Sequence, residues 1–194
     1  MIEIRIHGRG GQGAVVASHI LARAGFSKGL YVQAFPQFGV ERRGAPVLAF
    51  ARLSEAPIRV RTHVYSPHHV MVLDQALIDH VDITTGLHDD GWIVINSSLP
   101  PRDFDLHKTW NLATVDATSI AASNGIGTET APIVNTTMVG ALVRVTGIVE
   151  LEHLVQAIGQ TIPKRAENNQ NATREAFEKV LLSSPSGDRV SSAT

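Results

Sequence analysis

Two short runs near the N-terminus hold the residue types best suited to chemistry. In Gly8-Arg9-Gly10-Gly11-Gln12-Gly13, three glycines (8, 10 and 13) fall at G-x-G-x-x-G spacing. Glycines so spaced permit left-handed backbone and let an anionic group approach bare amides at the positive end of a following helix. A tight turn with close helix–sheet packing would use the same glycines. It would not need Gln12, whose side-chain amide can hydrogen-bond a ligand group or a loop of another subunit. The second run is Gly39-Val40-Glu41-Arg42-Arg43-Gly44, downstream of Phe35 and Phe38. Arg42 and Arg43 offer planar, bidentate donors to phosphate or carboxylate, and Glu41 can orient one of them. A solvated charged turn would have the same composition.

Other constellations carry less. A dinucleotide fingerprint requires an acid about 20 residues past the glycines to hold the ribose hydroxyls. That region reads Val32-Gln33-Ala34-Phe35, which argues against NAD. Among nine histidines, His63, His68 and His69 lie close in sequence. His68 and His69 are neighbours on an expected strand and point to opposite faces, so they are read as structural or exposed rather than metal-binding. No Gly-x-Ser-x-Gly elbow is present to activate a serine. Asp74, at the end of an apolar run, can cap a helix or face a ligand. Arg59 and Arg61 share one side of an alternating segment and face either solvent or a partner.

Positioning these residues requires an α/β framework. Residues 2–6 alternate as a strand, the glycines follow, and 14–24 carry Ala, Ile and Leu at helical spacing, with Gly25 as the expected stop. Further strands are expected at 30–34, 47–53, 58–61, 69–74, 92–96 and 111–115. The 47–53 and 58–61 pair, joined by a short connection, should be antiparallel and make the sheet mixed. A short helix is expected at 75–80 and one at 117–123, capped by Asp116 and ended by Asn124-Gly125. The last third reads as helices from Pro132 through Val145, from 151 to 162, and from Pro163 to about Leu182. The expected fold is α/β: a three-layer α/β/α domain over residues 1–183 with a mixed, mostly parallel sheet and a Rossmann-like first βα unit. Residues 184–194 have the composition of a flexible tail.

Bulk properties fit that frame. The chain has 194 residues, 43% hydrophobic and 18% charged, with 17 basic and 18 acidic side chains for a net charge of -1. This composition supplies a core and argues against nucleic-acid or membrane-surface binding. No apolar run is long enough to span a bilayer and no signal peptide is evident, so a cytoplasmic location is expected. With no cysteine in the chain, disulfides and thiolate-held zinc or iron–sulfur sites are excluded.

The glycine run, the segment Phe38-Gly39-Val40-Glu41-Arg42-Arg43-Gly44-Ala45 and the later Asn135-Thr136-Thr137-Met138-Val139-Gly140 together resemble the γ subunit of 2-oxoacid:acceptor oxidoreductases, and pyruvate:ferredoxin oxidoreductase γ subunits most of all. The resemblance runs from Ile2 to about Phe177. Many members have Tyr-Gly where this chain has Phe38-Gly39, and Arg-Gly-Gly at Arg43-Gly44-Ala45. No catalytic role is assigned at either position.

The resemblance implies a γ-type domain in a multi-subunit enzyme. That enzyme oxidatively decarboxylates a 2-oxoacid, pyruvate first, with coenzyme A to acyl-coenzyme A, carbon dioxide and reduced ferredoxin. It further implies α, β and δ partner subunits or their fused equivalents. Thiamine diphosphate and Mg2+ would lie between α and β, and [4Fe-4S] clusters in β and δ. Coenzyme A would be a shared ligand, met here by Gly8, Gly10, Gly11, Gln12, Gly13, Glu41, Arg42, Arg43 and Asn135. Asn135 either faces a partner's active site or caps its own helix. The alternatives are a scaffold subunit without its own ligand, an enzyme for 2-oxoglutarate, branched-chain or aryl oxoacids or with NAD as final acceptor, and an independent nucleotide-binding protein.

Overall fold

The computed structural model describes residues 1–37, 44–128 and 130–183, the side chains of His107 and Lys108 excepted. Glu41, Arg42, Arg43 and the expected tail at 184–194 lie outside the described residues. The sheet starts with β1 (Ile2–Arg9), where Ile4 and Ile6 point to one face and are fully buried. Helix α1 (Ala14–Ser27) covers that face with Ala14, Ala17, Ile20, Leu21 and Ala24, a stripe at helical spacing. Each fully buried Ile or Leu contributes about 1.5–3 kcal/mol. Gly25 does not stop the helix: a Cβ there would meet Leu53 Cδ2 at 2.5 Å, so the glycine lets α1 approach the sheet. The stop falls at Gly29, with φ of +91°, after Gly29 donates to the Phe26 carbonyl.

The chain then forms β2 (Tyr31–Pro36) and β3 (Pro46–Ser54), antiparallel to each other, with β3 also antiparallel to β1. Next come β4 (His69–Val72), β5 (Trp92–Asn96) and β6 (Asn111–Val115), all parallel to β1. Helix α2 (Ala117–Ser123), capped by Asp116, leads to a hairpin of β7 (Gly127–Thr128) and β8 (Ala131–Pro132). Helices α3 (Asn135–Thr146), α4 (Leu151–Thr161) and α5 (Ala166–Lys179) follow, and β9 (Leu181–Ser183) pairs antiparallel with β6. The seven-stranded order is β2-β3-β1-β4-β5-β6-β9, a parallel centre with antiparallel flanks.

The α/β class and the mixed sheet with a parallel centre agree with expectation, but several details differ. Residues 58–61 form no strand. They run beside β2, where Gln33 Nε2 donates to the Val60 carbonyl, and the antiparallel pairings come from β2 with β3, β3 with β1, and β6 with β9. Pro132 lies in β8 rather than opening α3, because its hairpin partner Gly127 holds it in extended backbone. The expected last helix ends at Lys179, and the apolar pair Leu181-Leu182 joins the sheet edge. The expected 75–80 helix is a single 3-10 turn, Gln75–Leu77.

Among the described residues the five α-helices all pack on one face of the sheet. The other face of its β4-β5-β6 half buries Val70, Val72, Ile93, Ile95 and Leu112 under Leu77, Ile83 and Leu87. The outer layer on that side is therefore built from 3-10 turns and loops.

Candidate functional site

Strands β1 and β4 are adjacent and parallel, yet the chain leaves them on opposite faces. After β1 it enters α1, packed with Ile4 and Ile6; after β4 it enters the turn Gln75–Leu77, packed with Val70 and Val72. A crevice opens at the carboxyl ends of such a strand pair, where open α/β sheets bind ligands. The glycine run occupies this position.

Each residue of the run has a distinct use. A Cβ on Gly8 would meet Leu73 Cδ1 at 3.1 Å and the Ala14 Cβ at 3.3 Å, so strand, helix and β4 close upon it. Gly10 donates to the Ala45 carbonyl at 2.9 Å and accepts from the Gly44 amide at 3.2 Å. Gly11 has φ of +100° and, among the described residues, nothing within 4 Å of a Cβ position. Gly13, with φ of +82°, is the N-cap of α1 and has no side chain to satisfy the first-turn amides. Gln12 turns back on the run: its Oε1 accepts from the Arg9 amide at 2.7 Å, and its own amide donates to the Arg9 carbonyl at 3.0 Å.

Asn135 opens α3 beside this turn and is only 3% exposed. Its Nδ2 donates to the Gly13 carbonyl at 3.5 Å and its Oδ1 accepts from Thr136 N at 2.8 Å. A Cβ on Gly13 would run into the Asn135 amide, so the N-termini of α1 and α3 converge at this contact. Neither helix has an acidic residue in its first turn; α1 has no side-chain cap, and in α3 the Asn135 Oδ1 takes the Thr136 amide, so among the described residues no carboxylate offsets the positive ends of the two dipoles.

Gly8, Gly10, Gly11, Gln12, Gly13 and Asn135 are thus brought together. Glu41, Arg42 and Arg43 fall outside the described residues, but Gly44 and Ala45, next in sequence, bond to Gly10.

Sequence reasoning passed over Arg9 and left Asp74 between two roles. Asp74 Oδ1 accepts from Ala76 N at 3.0 Å and caps the 3-10 turn, while Oδ2 accepts from Arg9 Nε at 2.7 Å and from Gln12 Nε2 at 3.4 Å. Arg9 Nη1 also donates to the Gly44 carbonyl at 3.2 Å. The available signal was an arginine between glycines and, 65 residues further on, an acid that follows a central strand.

Below the turn, His7 is pushed down to about 3 by burial and then by Arg5, whose Nε donates to His7 Nε2. That histidine is therefore a neutral acceptor. Among the described residues no three His, Cys, Asp or Glu side chains converge as a metal site, and no helix is long and apolar enough to cross a membrane.

Comparison with known proteins agrees with this architecture. Residues 3–179 match the family described as pyruvate ferredoxin/flavodoxin oxidoreductase. The pyruvate synthase subunit PorC of Methanothermobacter thermautotrophicus is 51% identical over 181 residues, covering 93% of this chain and 96% of the relative. The pyruvate/ketoisovalerate oxidoreductases common subunit gamma of Pyrococcus abyssi is 50% identical over 186 residues, covering 94% and 98%. The crystal structure of pyruvate oxidoreductase subunit PORC from Thermotoga maritima superposes with a TM-score of 0.78 at 38% identity, covering 93% and 97%. At 18% identity and a TM-score of 0.65, the same fold recurs within 31% of a longer chain, a 2-oxoglutarate:ferredoxin oxidoreductase from Magnetococcus marinus. On its sequence, its sheet order and these relatives, the chain belongs to the pyruvate ferredoxin/flavodoxin oxidoreductase family.

Proposed function

We propose that this chain is the γ subunit of a thiamine-dependent 2-oxoacid:ferredoxin oxidoreductase acting on pyruvate, and that its glycine turn binds an anionic part of coenzyme A. The observation that carries the reading is the α1 N-terminus, which has no side-chain cap and lies with the α3 N-terminus beside it at the switch between β1 and β4. The Gly10 and Gln12 amides are spent on Ala45 and Arg9, so these residues shape the turn. Among the described residues the amides of Gly11 and Gly13 have no partner, and the first-turn amides of α1 are free by helix geometry. Among the described residues nothing crowds Gly11, which fits a phosphate approaching the backbone closely. Arg42 or Arg43 adds charge to the ligand's phosphates or ties this subunit to α. Asn135 holds the α1 and α3 termini in register.

The contribution of this chain is orientation: it fixes one end of coenzyme A so that the thiol reaches the companion subunits. Thiamine diphosphate with Mg2+ supplies the decarboxylation chemistry when bound in those subunits, and [4Fe-4S] clusters there pass electrons to ferredoxin. A chain without cysteine suits a subunit that leaves thiolate-held clusters to β and δ neighbours. One relative is named a common subunit of pyruvate and ketoisovalerate enzymes, which supports the view that the companions select the oxoacid.

Calorimetric titration of coenzyme A into the whole complex tests the reading. Gly11→Asp, which puts a carboxylate where the anion sits, and the pair Arg42→Ala/Arg43→Ala should each weaken binding by roughly tenfold or more. Unchanged affinity in both would leave a scaffold subunit with no ligand of its own.

A further inference from the structure

Arg9 and Asp74 form a contact that the proposed ligand site does not itself use. Their side chains are partly buried, 28% and 23% exposed, and their ion pair at 2.7 Å joins the carboxyl ends of β1 and β4. The pair is the centre of a larger knot. Asp74 Oδ2 also receives Gln12 Nε2, Gln12 Oε1 receives the Arg9 amide, and Arg9 Nη1 reaches the Gly44 carbonyl. Two backbone bonds, Gly10 N to Ala45 O and Gly44 N to Gly10 O, complete it. Gly11 and Gly13 have left-handed φ and amides without partners among the described residues. The turn's shape is therefore imposed from outside, through Arg9, Gln12 and Asp74.

We infer that the Arg9–Asp74 pair is a positioning device that sets the geometry of the Gly11 and Gly13 amides, and with it the affinity for the phosphate portion of coenzyme A. The inference rests on the ligand reading above. Arg9 spends Nε on Asp74 and Nη1 on the Gly44 carbonyl, and what these contacts supply is the orientation of neighbouring amides. A backbone anion site depends on such preorganisation, because amides that must reorient on binding lose most of their advantage.

The two oxygens of Asp74 allow the test to separate positioning from folding. Asp74→Asn keeps Oδ1 as the acceptor for Ala76 N, so the cap survives, and removes only the carboxylate oxygen that meets Arg9 and Gln12. In the assembled complex this variant should raise the Kd and KM for coenzyme A by roughly tenfold or more, the scale of one charge-assisted hydrogen bond, with a much smaller change in kcat. Arg9→Gln approaches the same contact from the other side and should give a similar loss. Combined with Asp74→Asn it should add little, because both remove one interaction. Arg9→Lys, which keeps charge but not the fork, should fall between. Asp116→Asn, at the neighbouring α2 cap, is the control expected to leave activity unchanged.

Normal coenzyme A affinity in both Asp74→Asn and Arg9→Gln, with Gly11→Asp still impaired, would overturn the positioning role while leaving the ligand site standing. Normal affinity in all three would overturn both. A fall in kcat with Kd unchanged would also overturn it, since the pair would then act on chemistry rather than on binding.

Discussion

The two faces of the sheet at β1 and β3 are built on opposite terms. Toward the helices, Ile4, Ile6, Ala49, Ala51 and Leu53 pack against α1 with no polar side chain among them. On the other side Glu3, Arg5 and His7 alternate with them along β1, and Phe50 and Arg52 along β3. This second face is also covered, since Arg5, His7 and Arg52 are all buried. Its cover is irregular chain. A helix satisfies its own backbone and can lie on an apolar surface, whereas a loop brings carbonyls that need donors once buried.

The arginines provide those donors. Arg5 Nη2 donates to the Ile83 and Thr85 carbonyls, and Arg52 Nη2 to those of Thr62 and His63. Glu3 balances Arg52 at 2.7 Å, and the Phe35 ring lies 5.1 Å from its guanidinium. Arg9, with Asp74 and the Gly44 carbonyl, repeats the pattern at the rim. The chain thus fixes irregular backbone with arginine–carbonyl clamps, and the candidate site is the outermost of them.

Breaking a clamp should cost the most. Arg52→Ala leaves Glu3 without its cation and two carbonyls without donors, for an expected loss of about 3–5 kcal/mol in chemical denaturation. If the clamp matters beyond the ion pair, Glu3→Gln/Arg52→Met should remain destabilised, because the carbonyls still lack donors. A double variant as stable as wild type would reduce the comparison to charge pairing. On the apolar face, Ile6→Ala should cost about 2–5 kcal/mol by cavity formation and leave the local protection of residues 62–63 and 83–85 in hydrogen exchange intact.

Acid should act on the histidines. His7 is held down to about 3 by burial and then by Arg5, and His69 to about 4 by burial and then by His68. Both folded values lie below the ordinary 6.5, so the unfolded chain binds more protons. Their stabilisation is fully present above about pH 6.5 and is lost as pH falls toward 4 and then 3. The slope is at most about 1.4 kcal/mol per pH unit and group. Thermal melts across that window should show His7→Phe reducing the slope; an unaltered slope would remove His7 from the account. The smallest effect is expected from Arg59→Ala and Arg61→Ala, exposed on the covering strap, each within about 0.5 kcal/mol. A large loss there would mean the strap is held from outside as well as from beneath.

Much of this was readable in order of locality. The first βα unit, the buried runs at β4 and β5, and the cap at Asp116 depend on neighbours a few residues away, and sequence spacing reports those. The strap at 58–61 alternates like a strand, yet Gln33 takes the Val60 carbonyl, Arg52 takes those of Thr62 and His63 just beyond it, and no strand pairs with it. Strand β9 was read as helix because two leucines after a helical stretch carry no sign of a sheet edge more than 60 residues away in sequence.

By itself, the sequence determined the α/β class, the glycine turn before α1, the absence of thiolate ligands and the kinship with the γ subunits, since these follow from residue type and local order. Only the tertiary structure decided which polar groups are spent: Asp74 on Arg9, Gln12 on the Arg9 amide, Asn135 on Gly13, and Arg5 and Arg52 on buried carbonyls. A hydrogen-bonding side chain has several possible partners along a chain, and packing distant segments together selects among them.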